Sequence, residues 1–351
     1  MHANRWVMSR AGSLDRLSLE SFQVAPLHAG QARVRVHSVG MNFADVFACL
    51  GLYSATPPGA FTPGLEFAGV VEEVGPVHSR GAERIRKGDS VMGLIRFGGY
   101  AEVINADVRY LHKIPRGFSM DQGAAFPAQA LTAWYALHRL AHIKKAETVL
   151  VQSAAGGVGL LSLFILQQAG ARPISVVGSE EKIKFLYDYA GIDPSTVILR
   201  EARSFGGRLS AAAPGGIDVA LDAVYGKFFA PTWKALRAGG RYVLFGAADL
   251  MPEGKSPNFL KLGWQYIRRP RIDPLAMISE NKAMLAFNLI WLWDRVDDLS
   301  GMMDELLELP WKKRPPYVGR TFDFADAPAA MRFLQSGKSV GKVVLRTGAA
   351  G

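Results

Sequence analysis

Thr148-Val149-Leu150-Val151-Gln152-Ser153-Ala154-Ala155-Gly156-Gly157-Val158-Gly159, continuing into the apolar residues 160 to 168, is the stretch that decides the fold of this chain. Residues 148 to 153, with Val149-Leu150-Val151 at their centre, have the pattern of a buried strand, and residues 160 to 168 that of a largely apolar helix. A glycine turn joins them. In that order, Gly156 lets the backbone approach a pyrophosphate, Gly159 lets helix and strand pack closely, and the helix N-terminus presents free N–H groups to phosphate. Ala155, Gly156, Gly157, Val158 and Gly159 are therefore expected to hold a dinucleotide. Ala154 stands where the usual pattern has its first glycine. A tight turn whose small residues serve packing alone is the other reading, and the surrounding sequence decides between them.

From about residue 119 strands and helices alternate, with candidate strands at 149 to 152, 173 to 177, 196 to 199, 217 to 222 and 240 to 246. Alternation of this kind predicts a doubly wound parallel sheet, an α/β Rossmann arrangement, which is the context the glycine turn requires. The first 125 residues read differently. Segments 31 to 40 and 64 to 75 have strand texture between Gly and Pro punctuation, while 40 to 60 is loop-rich and 76 to 88 is a polar connection. After residue 273 the pattern is helical until a short final strand at 342 to 346.

The strand at 173 to 177 is expected to end over the adenosine ribose, where an NAD site usually carries an acidic residue. Here it ends Gly178-Ser179, with Lys182 and Arg200 to follow. A small residue, a hydroxyl and two cations suit a 2′-phosphate, so NADPH is favoured over NADH. Glu180 and Glu181 oppose that charge pattern but fit the first turn of a helix. Ordinary solvated charge is the alternative for Lys182 and Arg200.

Whole-chain properties exclude several classes. A length of 351 residues predicts two domains, and 49% hydrophobic with 21% charged residues describes a globular protein. No apolar run reaches the roughly 20 residues of a spanning helix. No secretory leader is recognisable, so a cytoplasmic location is expected. Cys49 is the only cysteine, which excludes an internal disulfide and any zinc site built from several thiolates. The formal charge of +10 suits anions in general and does not choose among nucleic acid, a membrane surface and a phosphorylated cofactor.

Five stretches carry a resemblance: Gly40-Met41-Asn42-Phe43-Ala44-Asp45, Gly51-Leu52-Tyr53, Pro63-Gly64-Leu65-Glu66-Phe67-Ala68-Gly69, the Ala-Ala-Gly-Gly-Val-Gly turn, and Val340-Gly341-Lys342-Val343-Val344-Leu345. Through them the chain resembles, over nearly its full length, the zinc-independent medium-chain dehydrogenase/reductases of the quinone oxidoreductase group, and especially their vesicle amine transport protein-1-like branch. The resemblance implies a GroES-like β-rich catalytic domain built from residues 1–127 and 275–351, with a Rossmann domain at 128–274 inserted between them. It implies an active site in an interdomain cleft and a homodimer joined at a Rossmann edge strand, for which residues 271 to 273 are the candidate.

Metal-dependent relatives place zinc-binding cysteine and histidine at the positions of Asn42 and Leu65, and a carboxamide and a leucine cannot replace that ligand set. The structural-zinc loop is missing as well, so no metal is expected. Without a Lewis acid, hydride needs an acceptor that is already electrophilic, such as a quinone or an α,β-unsaturated carbonyl. The resemblance also assigns roles. Asn42 orients substrate or nicotinamide, and Tyr53 donates a hydrogen bond or proton near the ring. Thr132, Phe245-Gly246-Ala247 and Lys342 flank the cofactor, and Glu66 supports the site from behind. Plainer readings remain for each: a local loop hydrogen bond for Asn42, lid area for Tyr53, a helix cap for Thr132, a solvating edge lysine for Lys342. Phe47 departs from relatives that carry a second tyrosine, which removes a two-tyrosine proton relay and leaves solvent as the proton source.

Gly337-Lys338-Ser339-Val340-Gly341 fits a hydrolase nucleophile pattern but precedes a strand instead of following one, and lacks the earlier glycine of a phosphate loop. His138 and His142 are spaced for one helix face with no third ligand in view. The rival signal is residues 264 to 271, dense in aromatics and arginines, with Phe287, Trp291 and Trp293 beyond. It suits a membrane-surface patch, a nucleic-acid patch, a dimer face or the apolar wall of a cleft. Two functions follow: a reductase of activated carbonyls, with small-molecule substrates and no nucleic-acid partner, or a cofactor-binding, lipid-associated protein with little turnover.

Overall fold

The structure, a computed structural model, describes residues 1–76 and 85–348, so most of the polar connection expected over 76 to 88 lies outside the described residues. The chain divides into two compact units. One comprises Met1–Leu131, Pro252–Pro257 and Leu289–Gly351, and the other Thr132–Met251 with Asn258–Asn288. In chain order the first unit holds β1 (His2–Met8), β2 (Leu17–Gln23), β3 (Gln31–Gly40), β4 (Glu66–Val74), β5 (Ser90–Leu94), β6 (Val103–Asp107) and β7 (Leu111–Lys113). The second holds β8 (Thr148–Gln152), β9 (Arg172–Val177), β10 (Val197–Leu199), β11 (Ile217–Asp222), β12 (Leu236–Leu244) and β13 (Ala283–Ala286). The first unit then takes β14 (Val318–Asp323) and β15 (Lys342–Arg346).

In the first unit β1 and β2 pair as a hairpin, and a larger sheet runs β14-β15-β3-β4-β5-β7 with β6 also on β3. This is the GroES-like β-rich domain. Ala32, Val34 and Val36 of β3 are buried in alternation with more exposed neighbours, the period of a strand with one solvated face. The alternation ends at Ser38-Val39-Gly40, all buried, where β3 enters a polar cluster at its end. Gly40 pairs with Glu66 of β4, and a Cβ on Gly40 would stand 2.0 Å from Ala124 O, so only glycine allows this approach.

The loop expected over 40 to 60 contains a helix, Phe43–Cys49, that sequence reasoning missed. Seven residues are too few to show a helical period. What stabilises the turn is local: the Asp45 carboxylate accepts from the Asn42 N–H at 2.8 Å, and Val46, Ala48 and Cys49 are buried behind it.

The second unit is a Rossmann-like α/β layer structure whose six strands are all parallel in the order β10-β9-β8-β11-β12-β13. Val149, Leu150 and Val151 of β8 are buried on both faces, as is every residue from Leu160 to Leu166 of the helix Gly157–Gln168. Strand order reverses between β8 and β11, which places the ligand crevice outside their carboxyl ends.

Three expectations need correction. Residues 271 to 273 are not a strand. The sheet edge is β13, ten residues on, in a stretch assigned to the catalytic part; Ala-Met-Leu-Ala lacks the β-branched residues that signal a strand. Accordingly the second unit extends to Asn288, and Pro252–Pro257 belongs with the first. Thr132 is the sixth residue of the helix Pro127–Trp134, which continues as π-helix over Tyr135–Leu140, so it does not cap the start of that helix.

Candidate functional site

The glycine turn joins β8 to the following helix through one left-handed residue and one close glycine contact. Ser153 leaves β8 with a left-handed backbone, φ 54°, and its carbonyl accepts the Gly156 N–H at 2.8 Å. A Cβ on Gly159 would meet Ser153 O at 2.5 Å and Ala154 O at 2.6 Å, both backbone atoms, so only glycine fits there. Gly156 is the N-cap of the twelve-residue helix Gly157–Gln168, whose first N–H groups lie at Gly157, Val158 and Gly159. Ala154 replaces the usual glycine without strain, because the left-handed position is Ser153 and Ala154 itself is fully buried.

At the neighbouring strand end, Arg200 closes β10 with its N–H on Val177 O at 2.8 Å. Its Nη1 donates to Ser153 Oγ at 3.1 Å, and a Cβ on Gly178 would lie 3.5 Å from its Nη2. Burial lowers the Arg200 guanidinium's affinity for its proton, against the pull of Asp222 and Asp249. The Lys182 amine is lowered by burial and by Arg200. Two partly buried cations thus sit within electrostatic range of each other at the end of β9, which suits a doubly charged anion. Glu181 stays ionised: its carboxyl is held low by the Ser179 hydroxyl and its own backbone N–H, at the start of the helix Glu180–Ala190. Phe245, Gly246 and Ala247 follow β12, half-buried, with the Phe245 N–H on Asp222 O at 3.0 Å.

The first unit contains a buried polar cluster where β3, β4 and β15 meet. Lys342 Nζ donates to Glu66 Oε1 at 2.5 Å and to Asn42 Oδ1 at 2.8 Å. Asn42 Nδ2 donates to the same Glu66 oxygen at 2.9 Å and to Gly40 O at 3.3 Å, and Glu66 Oε2 accepts the Ala128 N–H at 2.9 Å. With its amide turned to satisfy both ends, Gln129 accepts from Lys342 Nζ at 3.2 Å. Lys342 is 1% exposed and Glu66 0%. Lys342 is therefore no solvating edge lysine, since β15 lies inside the sheet between β14 and β3.

Sequence reasoning passed over Asp45 and Tyr100, which extend this cluster. Tyr100 Oη donates to Asp45 Oδ2 at 3.2 Å, and both residues are fully buried. Burial raises the Asp45 carboxyl to about 7, against the opposing pull of the Asn42 N–H and Lys342. Oδ1 has no hydrogen-bond partner among the described residues, which adds to the cost of ionising the group. Asp45 lies inside the quoted Gly40-to-Asp45 stretch, but its burial left no mark in the sequence. Tyr53 is half-buried beside a turn in which its carbonyl accepts the Thr56 hydroxyl at 2.7 Å, and Phe47 and Leu65 are also half-buried.

The rival aromatic segment divides between the units. Trp293 stacks on Tyr110 at 4.0 Å within the first. Trp264 and Tyr266 belong to the second, over half exposed, with the Arg268 and Arg269 guanidiniums 4.2 and 3.7 Å from their ring centres. His138 packs on Trp134, and no group of three potential metal ligands occurs among the described residues. No described helix is long and apolar enough to cross a membrane.

Comparison with known proteins agrees with this architecture. Residues 28–116 match the family described as the alcohol dehydrogenase GroES-like domain, and residues 196–345 that described as zinc-binding dehydrogenase. The human synaptic vesicle membrane protein VAT-1 homolog is 29% identical over 345 residues, covering 97% of this chain and 86% of its own. The quinone oxidoreductase from Thermus thermophilus, whose structure was also solved with NADPH, is 30% identical over 98% of this chain and 99% of its own, with a TM-score of 0.75. CurK enoyl reductase is 28% identical over 98% and 99%, with a TM-score of 0.80. Fold and comparisons together define the class, an oxidoreductase of the kind that binds a pyridine nucleotide. The chain belongs to the medium-chain dehydrogenase/reductase family, in the quinone oxidoreductase group and its VAT-1-like branch.

Proposed function

We propose that this protein is an NADPH-dependent, metal-independent reductase of quinones or α,β-unsaturated carbonyls. The observation that carries the cofactor choice is the pair Arg200 and Lys182 beside Gly178, a cationic corner where the 2′-phosphate of an NADP-type dinucleotide is expected to lie. The dinucleotide's phosphates are assigned to the 155–159 turn, and Ser179 to the ribose phosphate once its hydroxyl turns away from Glu181. Bound NADPH supplies the hydride, and with one proton it reduces the acceptor by two electrons.

The chain's own residues set the rest. Both Nδ2 protons of Asn42 are directed inward, to Glu66 and Gly40, leaving its Oδ1 with one lone pair beyond the Lys342 bond. Asn42 is thereby suited to orient a donor, such as the carboxamide N–H of a nicotinamide, and unsuited to stabilise a developing oxyanion. That second task is assigned to Tyr53, with the proton drawn from solvent. Metal independence is supported by the same geometry, since the Lys342 ammonium occupies the oxygen of the residue standing at the metal-binding position of zinc-dependent relatives. Thr132 and Phe245 to Ala247 are assigned to the nicotinamide half.

NADPH oxidation against a panel of quinones and enones tests the reading, with NADH as control. NADPH is expected to be preferred. Arg200→Ala is expected to lower the NADPH/NADH ratio of kcat/KM by about 10- to 100-fold, the loss of one or two charge-assisted hydrogen bonds. Equal use of both nucleotides by the wild type overturns the cofactor choice, and no turnover on any acceptor overturns the reductase. One observation favours a second reading, association with a membrane surface: Phe259, Leu260, Trp264, Tyr266, Ile267, Leu275 and Ile278 are all more than half exposed. Sedimentation with anionic liposomes tests it.

A further inference from the structure

The end of β11 carries a buried apparatus that the proposed chemistry does not use directly. Asp222 and Tyr242 are both 0% exposed. Leu244 is the register partner of Asp222 and Ala220 that of Tyr242, so the two side chains rise from the same face of adjacent strands, and the Tyr242 hydroxyl donates to Asp222 Oδ2. The other carboxylate oxygen accepts the Val224 N–H at 2.7 Å and the Tyr225 N–H at 3.0 Å.

What these bonds hold is strained. Tyr225 adopts φ 63°, ψ −148°, a region in which only glycine is comfortable. It is fixed from two sides, by Asp222 at its N–H and by Pro270 O, which accepts its hydroxyl at 2.7 Å. The turn 223–226 is in turn joined to the loop after β12. The Ala248 N–H donates to Ala223 O at 3.0 Å and the Asp249 N–H to Val224 O at 3.1 Å, while a Cβ on Gly246 would meet Ala223 O at 2.7 Å. Phe245, Gly246 and Ala247 therefore take their place from the turn, and the turn from Asp222. β11 borders the reversal of strand order, so this assembly stands on the crevice side opposite the phosphate turn.

We propose that Asp222 and Tyr242 are positioning residues which, by holding the strained turn at Tyr225 against the 245–249 loop, set the placement of the nicotinamide half of the dinucleotide. The inference rests on the cofactor reading above. An unsupported turn at φ 63° relaxes toward negative φ, and the loop joined to it moves with it. Tyr242→Phe leaves the Asp222 charge that acts on Arg200 in place, so the adenosine half, held at Gly178 and Arg200, is expected to keep its affinity.

That asymmetry gives the test. Tyr242→Phe deletes one buried hydroxyl, and binding is measured with two probes: NADPH, and adenosine 2′,5′-bisphosphate, which lacks the nicotinamide half. The variant is expected to bind NADPH about tenfold more weakly and to lose kcat in similar proportion, with affinity for the bisphosphate unchanged within about twofold. Equal weakening of both probes shows general damage to the unit and overturns the proposal, as does unaltered NADPH binding. Should Tyr242→Phe fail to fold, Tyr225→Phe removes only the half-buried hydroxyl on Pro270 O and is expected to shift the same ratio in the same direction by about threefold; an unchanged ratio overturns the proposal. A wild-type protein that binds the bisphosphate but gains nothing from the nicotinamide half defeats the cofactor reading itself.

Discussion

The buried charges of the first unit make quantitative demands. Lys342 and Glu66 are each essentially removed from solvent, so either one left alone is a buried charge without a counter-ion. Lys342→Met is expected to destabilise the protein by about 3–5 kcal/mol, read by urea unfolding; Lys342→Met with Glu66→Leu is expected to recover most of that loss. A single variant no less stable than wild type would show that Glu66 finds another partner. Asp45 acts in the opposite sense. Its carboxyl is raised from 3.8 to about 7, so the folded state holds a proton that the unfolded chain releases near pH 4. Stability from this group is fully present below the unfolded value and is lost as pH rises through the folded value. Unfolding free energy is expected to fall between about pH 4 and pH 7, by at most about 4 kcal/mol, which is three pH units at 1.36 kcal/mol each. Asp45→Asn is expected to flatten that slope. A slope unchanged in the variant assigns the titration elsewhere.

At the scale of elements, what the sequence disclosed follows burial. β8, β9 and β11 are apolar on both faces because helices cover both sides of a parallel sheet, and such runs stand out without any alignment. β13, the seven-residue helix at Phe43 and β14 were not legible, being short, weak in β-propensity, or fixed by contacts distant in sequence. The same division holds for the candidate site. Glycines announce themselves, and Gly159 is required by backbone geometry, while a Cβ on Gly156 would come within 3.2 Å of Ser153 O. Lys342, Glu66 and Asn42 were legible only as separate family-like positions 24 to 300 residues apart, and their convergence is a property of the folded sheet. Tyr242 and Asp222 left no signal, because an aspartate ending a strand and a tyrosine within the next are ordinary in sequence. The strand-turn-helix unit carries its own prediction. Gly159→Ala puts a methyl against two carbonyl groups that cannot withdraw. A loss of about 1–3 kcal/mol in thermal or urea unfolding is expected, with impaired NADPH binding. Stability and binding both at wild-type level would mean that the helix start can shift without penalty.

For the whole molecule, the six-stranded sheet ends on two edges without a further strand among the described residues, the three-residue β10 and the longer β13. β13 pairs only with β12, among the described residues, and its Ala283-Met284-Leu285-Ala286 sequence carries no charge to discourage another strand from pairing there. The Phe287 N–H is bonded to Leu244 O, so by the alternation of a strand the Ala286 N–H points to the open side. We propose that a second copy of the chain pairs at this edge, the arrangement in which one unpaired strand satisfies its own counterpart and closes with two-fold symmetry. Ala286→Pro removes the outward N–H and is tolerated only at an edge that stays open. Light scattering is expected to report twice 38.2 kDa for the wild type and 38.2 kDa for the variant. A wild-type monomer, or a variant that remains dimeric, places any self-association elsewhere, and the exposed apolar residues of 259–278 then become the surface to mutate next.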